Sequence, residues 1–259
     1  LTFLVESGPE AVPEIIGDFN DWGGVGRRSS LRLERVGATR FFVGGVRVPA
    51  DSRVEYQIAI GEREFADPLN PRSTESFEGR NSEVRLPSYR APDGRDAADP
   101  LDGRIETFEH RSAGENAARR IIVYFPSGYD SPPMRSYPTF WMNDGTAYAG
   151  SVRAPAIASA LLRAGRIEPL ILVLVDPIVR RTDYGGSVAF RRTVCEELVP
   201  RIDAAYRTIH RPESRTIGGG SRGGFGALDL ALHCPAVFGR AAAWAPAISP
   251  RSIAELIQG

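Results

Sequence analysis

The chain opens with short runs in which apolar and polar positions alternate, and this period of two predicts β-strands. Leu1–Val5, Glu14–Ile16, Leu31–Glu34, Arg40–Val46, Val54–Ile60 and Glu83–Leu86 carry the pattern, with turn-rich pieces at Gly17–Gly24, Pro49–Ser52 and Asp67–Pro71 between them. Such spacing predicts a small immunoglobulin-like β-sandwich over residues 1–88. Residues 89–103 are rich in Pro, Asp, Gly and Ala, lack periodicity and are expected to form a linker. From 104 to 259 the pattern changes. Ile105–His110 and Ala118–Phe125 predict two antiparallel strands around Gly114. Strand-like Thr139–Met142, Leu170–Val175, Ser214–Ile217 and Ala241–Ala245 then alternate with helical Ala154–Arg163, Val188–Ala205 and Phe225–His233. That alternation predicts an α/β fold with a doubly wound, mostly parallel sheet. Its ligand sites fall beyond the carboxyl ends of the strands, at Asn143–Gly145, Asp176–Tyr184 and Ser221.

The loop at Ser221 carries the sharpest chemical signal. Gly219-Gly220-Ser221-Arg222-Gly223 fits G-x-S-x-G between a strand and a helix, the context of a nucleophile elbow. Glycines two residues to either side remove the Cβ atoms that would collide where strand meets helix. The Arg222 N–H and the start of the helix then face the position of a developing oxyanion. A phosphate-binding loop is disfavoured, because no Lys-Ser/Thr pair follows the glycines. A serine nucleophile needs a base and a group to orient it. The histidines are His110, His210 and His233. Two precede the serine, and His233 lies ~18 Å along the helix from it at 1.5 Å per residue. All three are expected to be structural or surface residues.

Composition narrows the classes. The formal net charge is zero, which argues against a nucleic-acid or acidic-membrane partner. All 32 basic residues are arginine, as a biased genome composition would give. Cys195 and Cys234 lie in apolar helical contexts and are expected to be buried free thiols, as in a reducing compartment. No run of 18 apolar residues marks a transmembrane helix, and with no signal-peptide pattern after Leu1 the expected location is the cytoplasm. No C-x-x-C or H-x-x-x-H spacing occurs, so neither metal nor cofactor is expected. Glu196 and Glu197 are adjacent on a helix, do not face each other, and are expected to be structural. Trp22 is expected to be a core or rim residue, with Phe41 and Phe42 alternating across the sheet.

Tyr124–Asp130, Asn143–Gly145, Val175–Ile178, Arg181–Tyr184, Glu196–Asp203 and the serine elbow together resemble the enterochelin (ferric-enterobactin) esterase branch of the esterase D-like α/β-hydrolase family. Gly17-Asp18-Phe19-Asn20-Asp21-Trp22 and Asp67–Pro71 resemble the early-set, glycogen-binding-module-like domain that precedes the hydrolase domain there. The likeness covers nearly the whole chain. It implies a serine carboxylic-ester hydrolase that works through an acyl-enzyme on a small-molecule ester, a catecholate siderophore being one candidate. It also implies an α/β-hydrolase sheet that is C-terminally incomplete in this sequence, since the family's acid and histidine lie on later loops. An apolar edge at Ala241–Ala245 would be covered by a following segment or in a homo-oligomer. The second oxyanion donor is expected from the loop after the third strand, as the Gly145 or Thr146 N–H. Arg180, Arg181 and Asp144 are the substrate-binding candidates; a guanidinium holds carboxylates bidentately and stacks on catechols. Arg180 and Arg181 are as readily expected to pair structurally with Asp183 or Glu197. Two other functions fit the same residues: a feruloyl- or acetyl-type carbohydrate esterase with a glycan-binding first domain, and a non-catalytic homologue.

Overall fold

Alternation decides the first strands. The computed structural model describes residues 1–8, 11–24, 26, 28–76, 79–92 and 100–248. In β1 (Thr2–Glu6), Phe3 and Val5 are buried while Leu4 is exposed. In β5 (Phe41–Gly45), Phe42 is buried and Phe41 exposed, as the period of two requires. The remaining strands of this part are β2 (Glu14–Gly17), β3 (Leu31–Arg32), β4 (Glu34–Arg35), β6 (Arg53–Ile60), β7 (Arg63–Phe65), β8 (Ser73–Ser76) and β9 (Gly79–Arg85). They form two antiparallel sheets, β1-β5-β4 and β3-β2-β6-β9-β8, with β7 pairing to β6. Phe3, Val5, Ile15, Leu33, Phe42, Tyr56 and Ile58 make one apolar cluster from strands of both sheets.

The turn after β2 is built by side chains. Asn20 accepts the Gly17 and Gly23 N–H groups through Oδ1 at 2.9 and 3.3 Å, and its amide donates to the Ile15 carbonyl at 2.8 Å. Asp18 accepts the Glu55 N–H at 2.8 Å. Gly17 is required here, since a Cβ would lie 2.5 Å from the Glu55 carbonyl oxygen. Asp67 accepts the Tyr56 hydroxyl at 2.7 Å, which together with burial pushes that hydroxyl well above its ordinary range.

By its contacts the chain divides into two units, Leu1–Ala91 and Pro92–Gly259. The linker expected over 89–103 falls in part on residues 93–99, which lie outside the described residues. The second unit holds β10 (Arg104–His110), β11 (Arg119–Phe125), β12 (Thr139–Asn143), β13 (Ile171–Val175), β14 (Arg215–Gly220) and β15 (Arg240–Trp244). They form one sheet in the order β10-β11-β13-β12-β14-β15. β13, β12, β14 and β15 run parallel, and β10 and β11 add an antiparallel edge.

The helices are α1 (Gly145–Ala149), α2 (Ala154–Arg163), α3 (Arg180–Asp183), α4 (Val188–Arg192), α5 (Val199–Ala205) and α6 (Ser221–His233). A π-helical stretch, Thr193–Leu198, joins α4 to α5, and the Val199 N–H reaches back five residues to Val194. Pro200, which has no N–H to donate, follows directly. β11 and β13, covered on both faces, are nearly continuously apolar, whereas the edge strand β10 alternates. Ile121, Val123 and Phe125 meet Phe190, Leu198, Ile202 and Leu230 on one side; Ile122 and Tyr124 meet Tyr148 and Ala158 on the other. Among the described residues no helix is long and apolar enough to cross a membrane.

The cysteines depart from expectation. Cys195, in the π-helical stretch, and Cys234, just past α6, form a disulfide with their Cα atoms 6.7 Å apart. Taken alone, each apolar context holds a buried thiol; the fold brings both cysteines onto the same cluster. Closing a loop across 39 residues restricts the unfolded chain and contributes about 2–4 kcal/mol. Thiol titration should therefore find no reactive thiol in the native protein and two after reduction in denaturant. Reduction should lower the Tm of the wild type and leave that of a C195S/C234S variant unchanged.

Candidate active site

β14 lies between β12 and β15 in the parallel part of the sheet, so its carboxyl end opens where ligands bind such folds. The chain turns there in one residue. Ser221 has φ of 52°, a left-handed conformation that costs a non-glycine residue about 1–3 kcal/mol, and it is also the first residue of α6. Close backbone contact holds the turn. A Cβ on Gly219 would lie 2.5 Å from the carbonyl of Gly223, and a Cβ on Gly223 would lie 2.6 Å from Asp144 Oδ2. Asn143 donates to the Gly223 carbonyl at 2.8 Å, and the Ala247 N–H donates to the Ser221 carbonyl at 2.9 Å. The serine side chain is left exposed. The helix starts four residues earlier than the pattern predicts. Glycine is a poor helix former, yet here tertiary packing requires Gly223, Gly224 and Gly226 inside α6.

The other predicted residues divide into those facing the turn and those bound to each other. Arg222 is exposed in the first turn of α6, where an N–H has no partner within the helix. Gly145 begins α1 at the end of β12, directly after Asp144 at φ 61°. Thr146 is otherwise engaged: its N–H donates to Asp176 Oδ1 at 2.6 Å, and its hydroxyl bonds the same carboxylate. The Thr146 N–H, an expected oxyanion donor, thus points to Asp176 in this structure. Asp144 and Arg180, both expected to meet substrate, hold one another through two hydrogen bonds of 2.8 and 3.1 Å. The Asp144 N–H also donates to the Tyr184 hydroxyl at 2.7 Å. Burial raises the Asp144 carboxyl above its ordinary value, although Arg180 opposes the shift. Arg180 thus pairs with Asp144 rather than with Asp183 or Glu197, whereas Arg181 on α3 is exposed.

Several supports carried no sequence signal. Arg119 is fully buried at the start of β11, donates to Asp183 at 2.7 Å, pairs with Glu115 and lies over the Phe190 ring. Asp183 also accepts the Ile178 N–H at 2.8 Å, so this buried pair shapes the loop that carries Arg180 and Arg181. Tyr148 and Trp244 flank the elbow and are joined by a hydrogen bond.

Each histidine has a partner elsewhere. His110 Nε2 lies 3.0 Å from Glu197, and its Nδ1 lies 3.2 Å from Arg201. His233 Nδ1 bonds the Asp229 carbonyl at 2.9 Å, and His210 is largely exposed beside Asp203. Glu196 is exposed on the helix surface, 3.6 Å from Arg192. Among the described residues no group of three His, Cys, Asp or Glu could hold a metal ion.

With this geometry in hand, comparison with known proteins is specific. The chain is 27% identical over 179 residues to the iron(III) enterobactin esterase of Escherichia coli O6:H1, a match covering 68% of this chain and 44% of that protein. It is 25% identical over 150 residues to an endo-1,4-beta-xylanase/feruloyl esterase of Xylanibacter ruminicola, covering 53% of this chain and 21% of the other. The crystal structure of the ferric enterobactin esterase of Salmonella typhimurium superposes with a TM-score of 0.76 at 18% identity, over 95% of this chain and 71% of that one. At that identity the likeness establishes the α/β-hydrolase fold. The chain spans about half the length of the curated enterobactin esterases it matches. The family model described as putative esterase matches residues 112–255, more than half of the chain and the whole of the elbow, and the chain therefore belongs to the putative esterase family.

Proposed function

We propose that this chain carries the nucleophile of a serine carboxylic-ester hydrolase. The observation behind the proposal is the exposed Ser221 at positive φ, at the carboxyl end of a central parallel strand. In this scheme Ser221 Oγ adds to the ester carbonyl carbon and its proton passes to a base. The carbonyl π electrons move to the oxygen, where the Arg222 and Gly145 N–H groups receive the charge. The C–O bond to the alcohol then breaks, the alcohol leaves with the proton, and water cleaves the acyl-enzyme by the reverse sequence. We assign no base among the described residues: His110 and His233 are hydrogen-bonded within other elements, and His210 is exposed beside Asp203. Thr146 is left out of the scheme, since Asp176 occupies its N–H.

The substrate class we favour is a catecholate siderophore ester. The iron(III) enterobactin esterases among the relatives support it, and Arg181 is the candidate contact, because Arg180 is bound to Asp144. A carbohydrate ester is the second reading, favoured by the feruloyl esterase among the relatives. We read the first unit as an early-set β-sandwich. Among its described residues Phe41 is an exposed aromatic and Trp22 is half-buried, and on these we expect little surface for independent glycan binding.

Ser221→Ala should lower ester hydrolysis by about 10⁴-fold or more with an unchanged Tm, and should abolish covalent labelling by a fluorophosphonate. Retained activity on every ester tested would remove the hydrolase assignment.

The two arginines should behave differently. Arg180→Ala leaves the Asp144 carboxylate buried and unpaired, a cost of about 3 kcal/mol, at the low end for a buried pair because Arg180 keeps some solvent contact. Thermal unfolding should register it, with every substrate affected alike. Arg181→Ala should leave the Tm and p-nitrophenyl acetate hydrolysis unchanged. It should weaken catecholate trilactone hydrolysis about 10- to 100-fold, as loss of one charge-assisted contact predicts. Equal losses on both esters would count against the siderophore class.

A further inference from the structure

Behind Ser221 lies a hydrogen-bonded contact between three elements that the catalytic scheme does not use. Gly220, the residue before the serine, is the register partner of Trp244 in the parallel pairing of β14 and β15. The Trp244 Nε1–H donates to the Tyr148 hydroxyl at 2.8 Å, and the two rings meet edge to face at a centroid distance of 5.6 Å. The Gly220 backbone lies beside the same hydroxyl. A methyl group on Gly220 would sit 2.6 Å from Trp244 Nε1 and 3.0 Å from the Tyr148 oxygen, so the three groups touch with no room to spare.

Two details tie this contact to the turn. Directly after Trp244, Ala245 adopts φ of 43°, and the Ala247 N–H then donates to the Ser221 carbonyl. Strain on both sides of the pair is therefore held by the same short segment. Tyr148 also lies in α1, three residues after Gly145, so its hydroxyl links the piece of chain bearing one proposed oxyanion donor to the piece bearing the other.

Packing alone does not explain the hydroxyl. The Tyr148 ring is buried in the cluster of Tyr124, Met142, Leu172 and Leu174, which would hold a phenylalanine equally well. Burial pushes the phenol up to about 12, so it stays protonated, able to donate one bond and accept others at any ordinary pH.

We infer that Tyr148 and Trp244 are positioning residues, whose shared hydrogen bond fixes the Gly220 backbone and with it the aim of Ser221 and the spacing of the two backbone donors. The inference rests on the hydrolase proposal. It predicts that the bond acts on the chemical step and leaves substrate affinity alone, since neither side chain needs to touch the substrate.

The test uses the intact protein and the variants Y148F, W244F and Y148F/W244F. Labelling by a fluorophosphonate gives a maximal rate and a half-saturation constant; p-nitrophenyl acetate hydrolysis gives kcat and KM. Each single variant should lose about tenfold in labelling rate and in kcat, the scale of one neutral hydrogen bond, with KM within about twofold and a Tm close to wild type. The double variant should lose no more than the worse single, because both substitutions break one bond. Wild-type rates in Y148F, a raised KM with unchanged kcat, or losses that multiply in the double variant would each overturn the inference while leaving labelled Ser221, and the hydrolase proposal, intact. A wild-type protein that is never labelled overturns the hydrolase proposal and this inference together. If W244F does not fold, Y148F alone decides, since its ring keeps the same packing.

Discussion

The second unit depends on a close approach of backbone to backbone. For a strand to turn into a helix at one serine, the residues two before and two after must come within contact distance, and no side chain fits between them. Gly219 and Gly223 meet that requirement: a Cβ on Gly219 would fall 2.5 Å from the Gly223 backbone, and one on Gly223 would fall 2.6 Å from the Asp144 carboxylate. The result is a serine held in a left-handed conformation that its own chemistry disfavours. What sustains it is external: Asn143 on the Gly223 carbonyl, Ala247 on the Ser221 carbonyl, and the packed α6 beneath. Strain of this sort persists where the surroundings overdetermine it, which is why the turn sits between two parallel neighbours and not at a sheet edge.

Around that turn the protein uses charge to fold loops. Asp144 and Asp183 are both buried, and each is matched by an arginine from a different element: Arg180 from α3 and Arg119 from β11. A buried carboxylate without such a partner would be costly, so the loop after β13 can take few other shapes. The pairing also limits function. An arginine that neutralises Asp144 through two hydrogen bonds is not free to grip a substrate by the same edge, whereas Arg181, one residue on, faces solvent.

What the sequence makes legible follows from which forces are local. Apolar periodicity is local, so most strands from Thr2 to Val175 and the bounds of α2 follow from it to within a residue or two, whereas β9 begins four residues before the pattern at Glu83–Leu86 and the run Leu31–Glu34 divides between β3 and β4 in different sheets. The polar strands β7 and β8 carry no such signal, and they exist because β6 and β9 offer them hydrogen-bonding edges. The elbow is legible because its steric demand selects glycine at fixed spacing. The tertiary pairs are not. Nothing in Arg119-Arg120 marks the first as buried and the second as exposed, and nothing near Tyr148 or Trp244 points to the other, 96 residues away. The start of α6 is not legible for a related reason: intrinsic propensity counts glycine against a helix, while the packing of this helix demands it.

The disulfide alters the argument about compartment. Two free buried thiols fit a reducing cytoplasm, and that fit supported the cytoplasmic expectation. Cys195 and Cys234 are instead joined, and they link the helical segment under the sheet to the far end of the helix that begins at Ser221. Such a bond persists where the surroundings are oxidising and is rare in a reducing cytosol. The expectation of a cytoplasmic protein thus loses one of the observations that agreed with it. Thiol state in the native protein therefore bears on compartment as well as on stability, although Cys234 lies at the opposite end of α6 from Ser221.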